Sequence, residues 1–297
     1  MNRNSYIAIG IVVIVVAAIA AVALSGGTKT QTINEKGSDT MLELAQNWAE
    51  TFHNEKSSIS VVVSGGGSAV GLQALISKNT DIADASRGIN STESSQATAN
   101  GVSPFEVKVA IDGIAIIVHQ GNPISTLTIA QLRGIYNGTL TNWNQLGGPD
   151  KTIVTYGRQS TSGTYAYFQE VVLLKGNYRT DMNQMTGNSA IVDAVSGDTG
   201  GIGYVGIGYA KSATGISILD LKKTATAQAY SPFNETAVLN FTYPLARYLY
   251  VYTDGAPTGA TKTYISWILD EGQTVAQQVC YYALPQDILT QMKAKLG

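Results

Sequence analysis

Apolar residues recur at the three-to-four-residue spacing of an amphipathic helix over 41–52, 69–77, 129–136, 165–174, 261–269 and 286–296. Between these segments lie short β-branched runs at 59–63, 114–118, 153–156, 202–205, 216–219 and 245–252. Strand, turn and helix repeated in this order predict an α/β chain with mostly parallel pairing. Two longer hydrophobic runs, 107–119 and 241–252, divide the chain into three parts. The middle part is continuous, whereas the outer parts must come together if each is to complete a sheet. Two lobes joined by two crossing strands, with a cleft between them, follow from that pattern. The expected boundaries are 32–112 with 243–297 for lobe 1 and 113–242 for lobe 2.

The N-terminus breaks the alternation. Residues 7–24 (IAIGIVVIVVAAIAAVAL) are uncharged and apolar throughout, with Arg3 ahead of them. At ~1.5 Å per residue this run reaches the length of a membrane-spanning helix. Ala21-Val22-Ala23 would equally serve as the small-residue cleavage site of a secretory signal, so anchor and cleaved signal both remain open. Either reading puts the body outside the cytoplasm, since Arg3 precedes the run and no basic cluster follows it. Residues 1–31 are thus a signal or anchor and a short tether (SGGTKTQ). Sequons at Asn90, Asn137, Asn234 and Asn240 fit a surface protein without proving glycosylation.

Composition narrows the chemistry. The chain has 297 residues, a length suited to about two domains and a large core. Its single cysteine, Cys280, rules out an intrachain disulfide, and with two histidines a cysteine/histidine zinc cluster is not expected. Nineteen basic against 21 acidic residues give a net charge of −2, which leaves no global basic field for nucleic acid. Charged residues make up only 13% of the chain, about half of the usual ~25%. Neutral polar groups must therefore carry much of the surface.

Three turns stand out. Gly37-Ser38-Asp39-Thr40, Ser64-Gly65-Gly66-Gly67-Ser68 and Gly157-Arg158-Gln159-Ser160-Thr161-Ser162-Gly163-Thr164 each open a predicted helix. A helix start presents unpaired backbone N–H groups and about +0.5 of partial charge, and glycine lets a ligand approach the backbone closely. Together these features make an oxyanion site. Ordinary capping by Ser, Thr and Asp accounts for any one such turn; three together, one carrying Arg158 and another trailed by Ser86-Arg87, favour anion binding. Neither a Gly-Lys-Ser/Thr phosphate loop nor a dinucleotide glycine fingerprint is present.

The blocks GSDTMLELAQNWAETF, SGGGSAVGLQALISKNTDIADASRGI, DGIAIIVHQGNP, GRQSTSGTYAYF, GGIGYVGIGYA and YPLARYLYVYT, closing with YYALP, resemble the substrate-binding proteins of phosphate ABC importers. They come in that family's order over residues 37–285. The resemblance implies a type II periplasmic-binding-protein-like α/β fold, each lobe a mixed sheet flanked by helices and joined by two hinge strands. It also implies a monomeric receptor, not an enzyme, that needs no cofactor and delivers inorganic phosphate to an ABC permease. Carried over position by position, it assigns phosphate contacts to Thr40, the Met41 amide, Ser68, Arg158, Ser162, Gly163 and Thr164, with Ser38 in the first turn. Some members have an aspartate where Arg87 stands, and often one where Ser160 stands. The carboxylate that accepts the proton of hydrogen phosphate must then be Asp39, Asp84 or Asp112, with Asp112 preferred for its place beside the hinge. Arg87 is a second positive charge for the anion or else a salt-bridge partner of Asp84 or Asp81. Another tetrahedral oxyanion (sulfate, molybdate, tungstate, arsenate) is the alternative ligand, and a tethered phosphate sensor the alternative role. A phosphate-ester hydrolase is disfavoured because no activated nucleophile or metal-spaced ligand set is visible.

The remaining candidates read as structure: Trp48, Trp143 and Trp267 as packing, His53 as exposed, Cys280 as a small buried residue, and 219–223 (LDLKK) as a solvated edge.

Overall fold

The computed structural model describes residues 30–297. The apolar run 7–24, with its anchor or signal role, lies outside the described residues. Among the described residues no helix is long and apolar enough to cross a membrane.

The first lobe is built on β1 (Gln31–Gly37), β2 (Ile59–Ser64), β3 (Ile82–Ala85), β4 (Pro104–Gly113) and β11 (Ala246–Asp254), in the order β2-β1-β3-β11-β4. β1 pairs parallel with β2 and β3, whereas β11 runs antiparallel to both β3 and β4. The second lobe takes β5 (Ala115–His119), β6 (Thr126–Thr128), β7 (Val154–Arg158), β8 (Asn183–Met185), β9 (Gly201–Val205) and β10 (Ile216–Lys222), in the order β6-β10-β5-β9-β7-β8. Here β5 is antiparallel to both neighbours, and the outer pairs are parallel. Both sheets are therefore mixed, which corrects the mostly parallel pairing read from the alternation of elements. The chain passes from β4 to β5 through the single residue Ile114, so the run 107–119 is two strands in two sheets.

Three helices begin at the glycine and hydroxyl turns: α1 (Leu42–Glu55), α2 (Ser68–Ile76) and α5 (Gly163–Val171). α1 buries Leu44, Ala45, Trp48, Ala49 and Phe52, a spacing that sets one face against the first lobe. Between α2 and α5 come α3 (Ser91–Ala99) and α4 (Ile129–Tyr136). After α5 the chain forms α6 (Asn188–Gly197), α7 (Ile207–Lys211), α8 (Glu235–Leu239), α9 (Gly259–Ile268), α10 (Gly272–Gln278) and α11 (Gln286–Leu296).

Several elements carry no legible period. β1 reads QTINEKG, yet Ile33, Glu35 and Gly37 all face inward. α3 (STESSQATA) buries only Ala97 and is defined by its start, where the Asn90 side chain accepts the Glu93 amide and Glu93 returns the bond to the Asn90 amide. The stretch 219–223 is no solvated edge: Leu219 and Leu221 are fully buried in β10, which lies between β6 and β5. The three tryptophans pack as expected, with Trp48 and Trp143 fully enclosed. His53 is exposed; Cys280 is only half-buried.

Candidate functional site

The starts of α1, α2 and α5 meet between the lobes. Thr40, in the turn before α1, and Thr164, in the first turn of α5, share a hydrogen bond of 2.7 Å between their hydroxyls. Ser68, the first residue of α2, accepts the Ser86 amide at 3.1 Å and lies 3.3 Å from the Ser86 hydroxyl. Gly163 is pressed against this pair, and a Cβ there would sit 2.2 Å from Ser68 Oγ and 2.7 Å from Ser86 Oγ. That approach demands glycine. The α2 start also donates across the cleft, from the Ala69 amide to the Thr161 carbonyl at 3.1 Å.

Two buried guanidiniums flank the hydroxyls. Arg158, at the end of β7, is fully enclosed. Its Nη2 donates to Asp39 Oδ2 at 2.5 Å and to the Thr186 carbonyl at 3.0 Å. Its Nε and Nη1 have no partner among the described residues. Such donors inside a protein are costly unless something accepts from them. Arg158 is held in place by the phenol of Tyr204, which accepts the Arg158 amide at 3.1 Å and is stacked on Phe168 with ring centres 4.3 Å apart. Burial pushes the Tyr204 phenol up to about 12, so it stays protonated.

The second guanidinium is Arg247, which reasoning from the sequence missed. It lies on β11, bonded to Asp112 Oδ2 through Nε at 2.9 Å and Nη2 at 2.7 Å. It also donates to the Ser86 carbonyl at 2.9 Å and to Thr164 Oγ1 at 2.9 Å. Its one signal was an arginine inside an otherwise apolar strand run, YPLARYLYVYT. Asn188 was also unassigned; its Nδ2 and the Tyr209 hydroxyl donate to the Asp39 carbonyl at 3.3 and 2.9 Å.

The structure thus gathers Thr40, Ser68, Asp112, Arg158, Gly163 and Thr164, and corrects other expectations. Arg87 has a different salt-bridge partner from those expected. Both of its terminal nitrogens bind Glu93, at 2.8 and 2.7 Å, and neither Asp84 nor Asp81 is its partner. A bidentate carboxylate a few residues along the chain outcompetes a more distant target. The Met41 amide closes the first turn on the Ser38 carbonyl at 3.0 Å, and Ser38, buried beside it, gives its amide to the Asp84 carbonyl at 3.0 Å. Ser162 acts as a helix cap, its Oγ accepting the Thr164 and Tyr165 amides at 3.1 and 3.4 Å. Asp112 accepts from Arg247 and, at 3.0 Å, from the Ile207 amide, so its oxygens already serve other donors. Asp84 lies in the lobe core against Glu35. Burial raises the Asp84 carboxyl to about 7 and, with the neighbouring Asp84 charge second, lifts Glu35 well above the carboxylate range.

The comparisons with known proteins agree with this geometry. Residues 23–271 match the model of a PBP superfamily domain. The phosphate-binding protein PstS of Pseudomonas aeruginosa is 33% identical over 283 residues, covering 89% of this chain and 87% of that protein. The PstS of Staphylococcus saprophyticus is 28% identical, covering 88% and 82%. Among solved structures, one from Clostridium perfringens, with phosphate bound and described as a phosphate ABC transporter substrate-binding protein, is 29% identical with a TM-score of 0.77. It covers 86% of this chain and is itself covered in full. An ABC-type phosphate transport receptor from Vibrio cholerae is 26% identical with a TM-score of 0.69, covering 85% of this chain and all of its own. With this fold, these three converging helix starts and these relatives, the chain belongs to the PBP superfamily and, within it, to the substrate-binding proteins of phosphate ABC importers.

Proposed function

We propose that the protein captures inorganic phosphate between its lobes and delivers it to an ABC permease. The observation that carries this reading is the fully buried Arg158, whose Nε and Nη1 are unpartnered among the described residues, beside hydroxyls supplied by both lobes. A phosphate dianion loses its hydration favourably only where nearly every oxygen receives a hydrogen bond in return. Bonds to a charged group contribute roughly 1.5–3 kcal/mol each, and micromolar affinity needs only about −8 kcal/mol net. A guanidinium fork with four or five hydroxyl or amide donors reaches that range after ordering costs. The fixed charges of the site balance: Arg158 faces Asp39 and Arg247 faces Asp112. Helix ends and neutral donors therefore do much of the recognition, as they do at other anion-binding helix starts.

The lobes we assign are 32–112 with 243–297, and 113–242, moving about the two crossings between the sheets. An anion that contacts both lobes binds the closed arrangement better than the open one, so closure follows as a population shift. The closed form is what the permease would recognise. We read the protein as a monomeric receptor rather than an enzyme, working outside the cytoplasm. Residues 7–24 would either tether it or be removed as a signal.

Competition calorimetry tests the ligand. Phosphate is expected to bind with micromolar or tighter affinity and to be displaced poorly by sulfate or molybdate. Tight sulfate binding without phosphate binding would turn the assignment to another oxyanion. That rival has one observation in its favour, since both carboxylates at the site, Asp39 and Asp112, already accept from guanidinium and amide donors.

A further inference from the structure

The turn before α1 belongs to the first lobe but is bonded into the second. Asp39 is fixed on its own side by the Gly66 amide, which donates to Oδ1 at 2.7 Å. From there its Oδ2 reaches Arg158 Nη2 at 2.5 Å, and its carbonyl takes the Tyr209 hydroxyl and the Asn188 amide, all in the second lobe. The packing on its own side is close: a Cβ on Gly65 would lie 2.4 Å from Asp39 Oδ1. Arg158 is fully buried, and Asp39 is the one carboxylate it pairs with among the described residues.

We propose that Asp39 is the positioning residue for Arg158 and acts from across the cleft. Its carboxylate holds Nη2 and so orients Nε and Nη1 for the anion. The pair exists only when the lobes are together, which makes closure and assembly of the anion site a single event. This inference rests on the phosphate reading for its consequence in affinity, but not for its consequence in lobe position.

The proposal has a sign that simple electrostatics lacks. A carboxylate beside an anion site repels the anion, so on Coulomb terms alone Asp39→Asn tightens phosphate binding. If Asp39 positions Arg158 and links the lobes, the same change weakens binding.

The test uses the full chain in detergent with Cys280→Ser, carrying spin labels at Gln73 on α2 and Asp193 on α6, both exposed. Electron–electron distance measurements are made without and with phosphate, alongside calorimetry with phosphate. Before phosphate is added, Asp39→Asn is expected to lose at least half of the short-distance population of the parent. Its phosphate Kd is expected to rise tenfold or more. In an Arg158→Ala background the same substitution should produce no further shift in distance, because the partner is already gone. An unchanged distance distribution in the anion-free Asp39→Asn protein overturns the proposal, as does a full additional shift in the Arg158→Ala background. A parent that fails to bind phosphate refutes the phosphate reading instead, and the anion-free distances still decide the role of Asp39.

Discussion

Replacing Gly163 with alanine separates lobe closure from lobe folding. The new Cβ would stand 2.2 Å from Ser68 Oγ, 2.7 Å from Ser86 Oγ and 2.9 Å from Ser68 Cβ, all in the opposite lobe. Rotating the two hydroxyls relieves the first two clashes and leaves the third. Carbon atoms pack best at ~3.5–4.0 Å, so the α5 and α2 starts must part by roughly 0.6–1 Å. That displacement stretches the Thr40–Thr164 bond, now 2.7 Å, and the Arg247–Thr164 bond, now 2.9 Å, past useful range. A neutral hydrogen bond contributes ~0.5–1.5 kcal/mol and a charged one ~1.5–3. Their combined loss corresponds to a phosphate Kd weaker by roughly 30- to 2,000-fold. The second lobe itself should be no less stable, because alanine in a helix is favoured over glycine by up to ~1 kcal/mol. Calorimetry gives the affinity, thermal unfolding the stability, and small-angle scattering with phosphate the compaction. A Gly163→Ala protein that binds phosphate within twofold of the parent and still compacts would refute the close approach on which the site is built.

Arg158→Ala should weaken phosphate binding at least tenfold in calorimetry; an unchanged Kd removes the residue from the site. Arg87→Ala should leave the phosphate Kd within about twofold and lower the melting temperature, since the two-pronged Glu93 pair it breaks is largely buried. A tenfold loss of affinity would restore Arg87 to the anion. The Glu35–Asp84 pair makes stability depend on pH. Its carboxyls hold their protons more tightly folded than unfolded, Asp84 up to about 7. Their favourable state is fully present below the ordinary carboxylate range and is lost as pH rises through about 7. The melting temperature should therefore fall from about pH 4 to about pH 7 from this source, and Asp84→Asn should flatten the slope; an equally steep slope in the variant contradicts the assignment.

The glycine and hydroxyl turns were legible because their composition is local: strand, small residues, helix start. What the sequence could not reveal was which of their atoms are already spent. The Ser162 oxygen accepts the amides of its own helix start, the Met41 amide closes its own turn on Ser38, and Arg87 is taken by Glu93 six residues along the chain. Arg247 lay hidden because its partner Asp112 is 135 residues away, and the Asp39–Arg158 pair spans 119. The alternating elements conveyed the two-lobed α/β fold but not the pairing directions, which depend on β11 returning between β3 and β4. β1 and α3 escaped notice for another reason. The inward positions of β1 include Glu35, and α3 is set by an Asn90 cap rather than by an apolar face.

A crystal structure of the protein grown with phosphate bears most directly on the idea that separate helix starts and a buried guanidinium enclose one tetrahedral ion. One tetrahedral density is expected between the lobes, within hydrogen-bond reach of Arg158 Nε or Nη1 and of hydroxyls from both Thr40 or Ser68 and Thr164. Density bound elsewhere, or an Arg158 turned away from an ion held by one lobe alone, would contradict it.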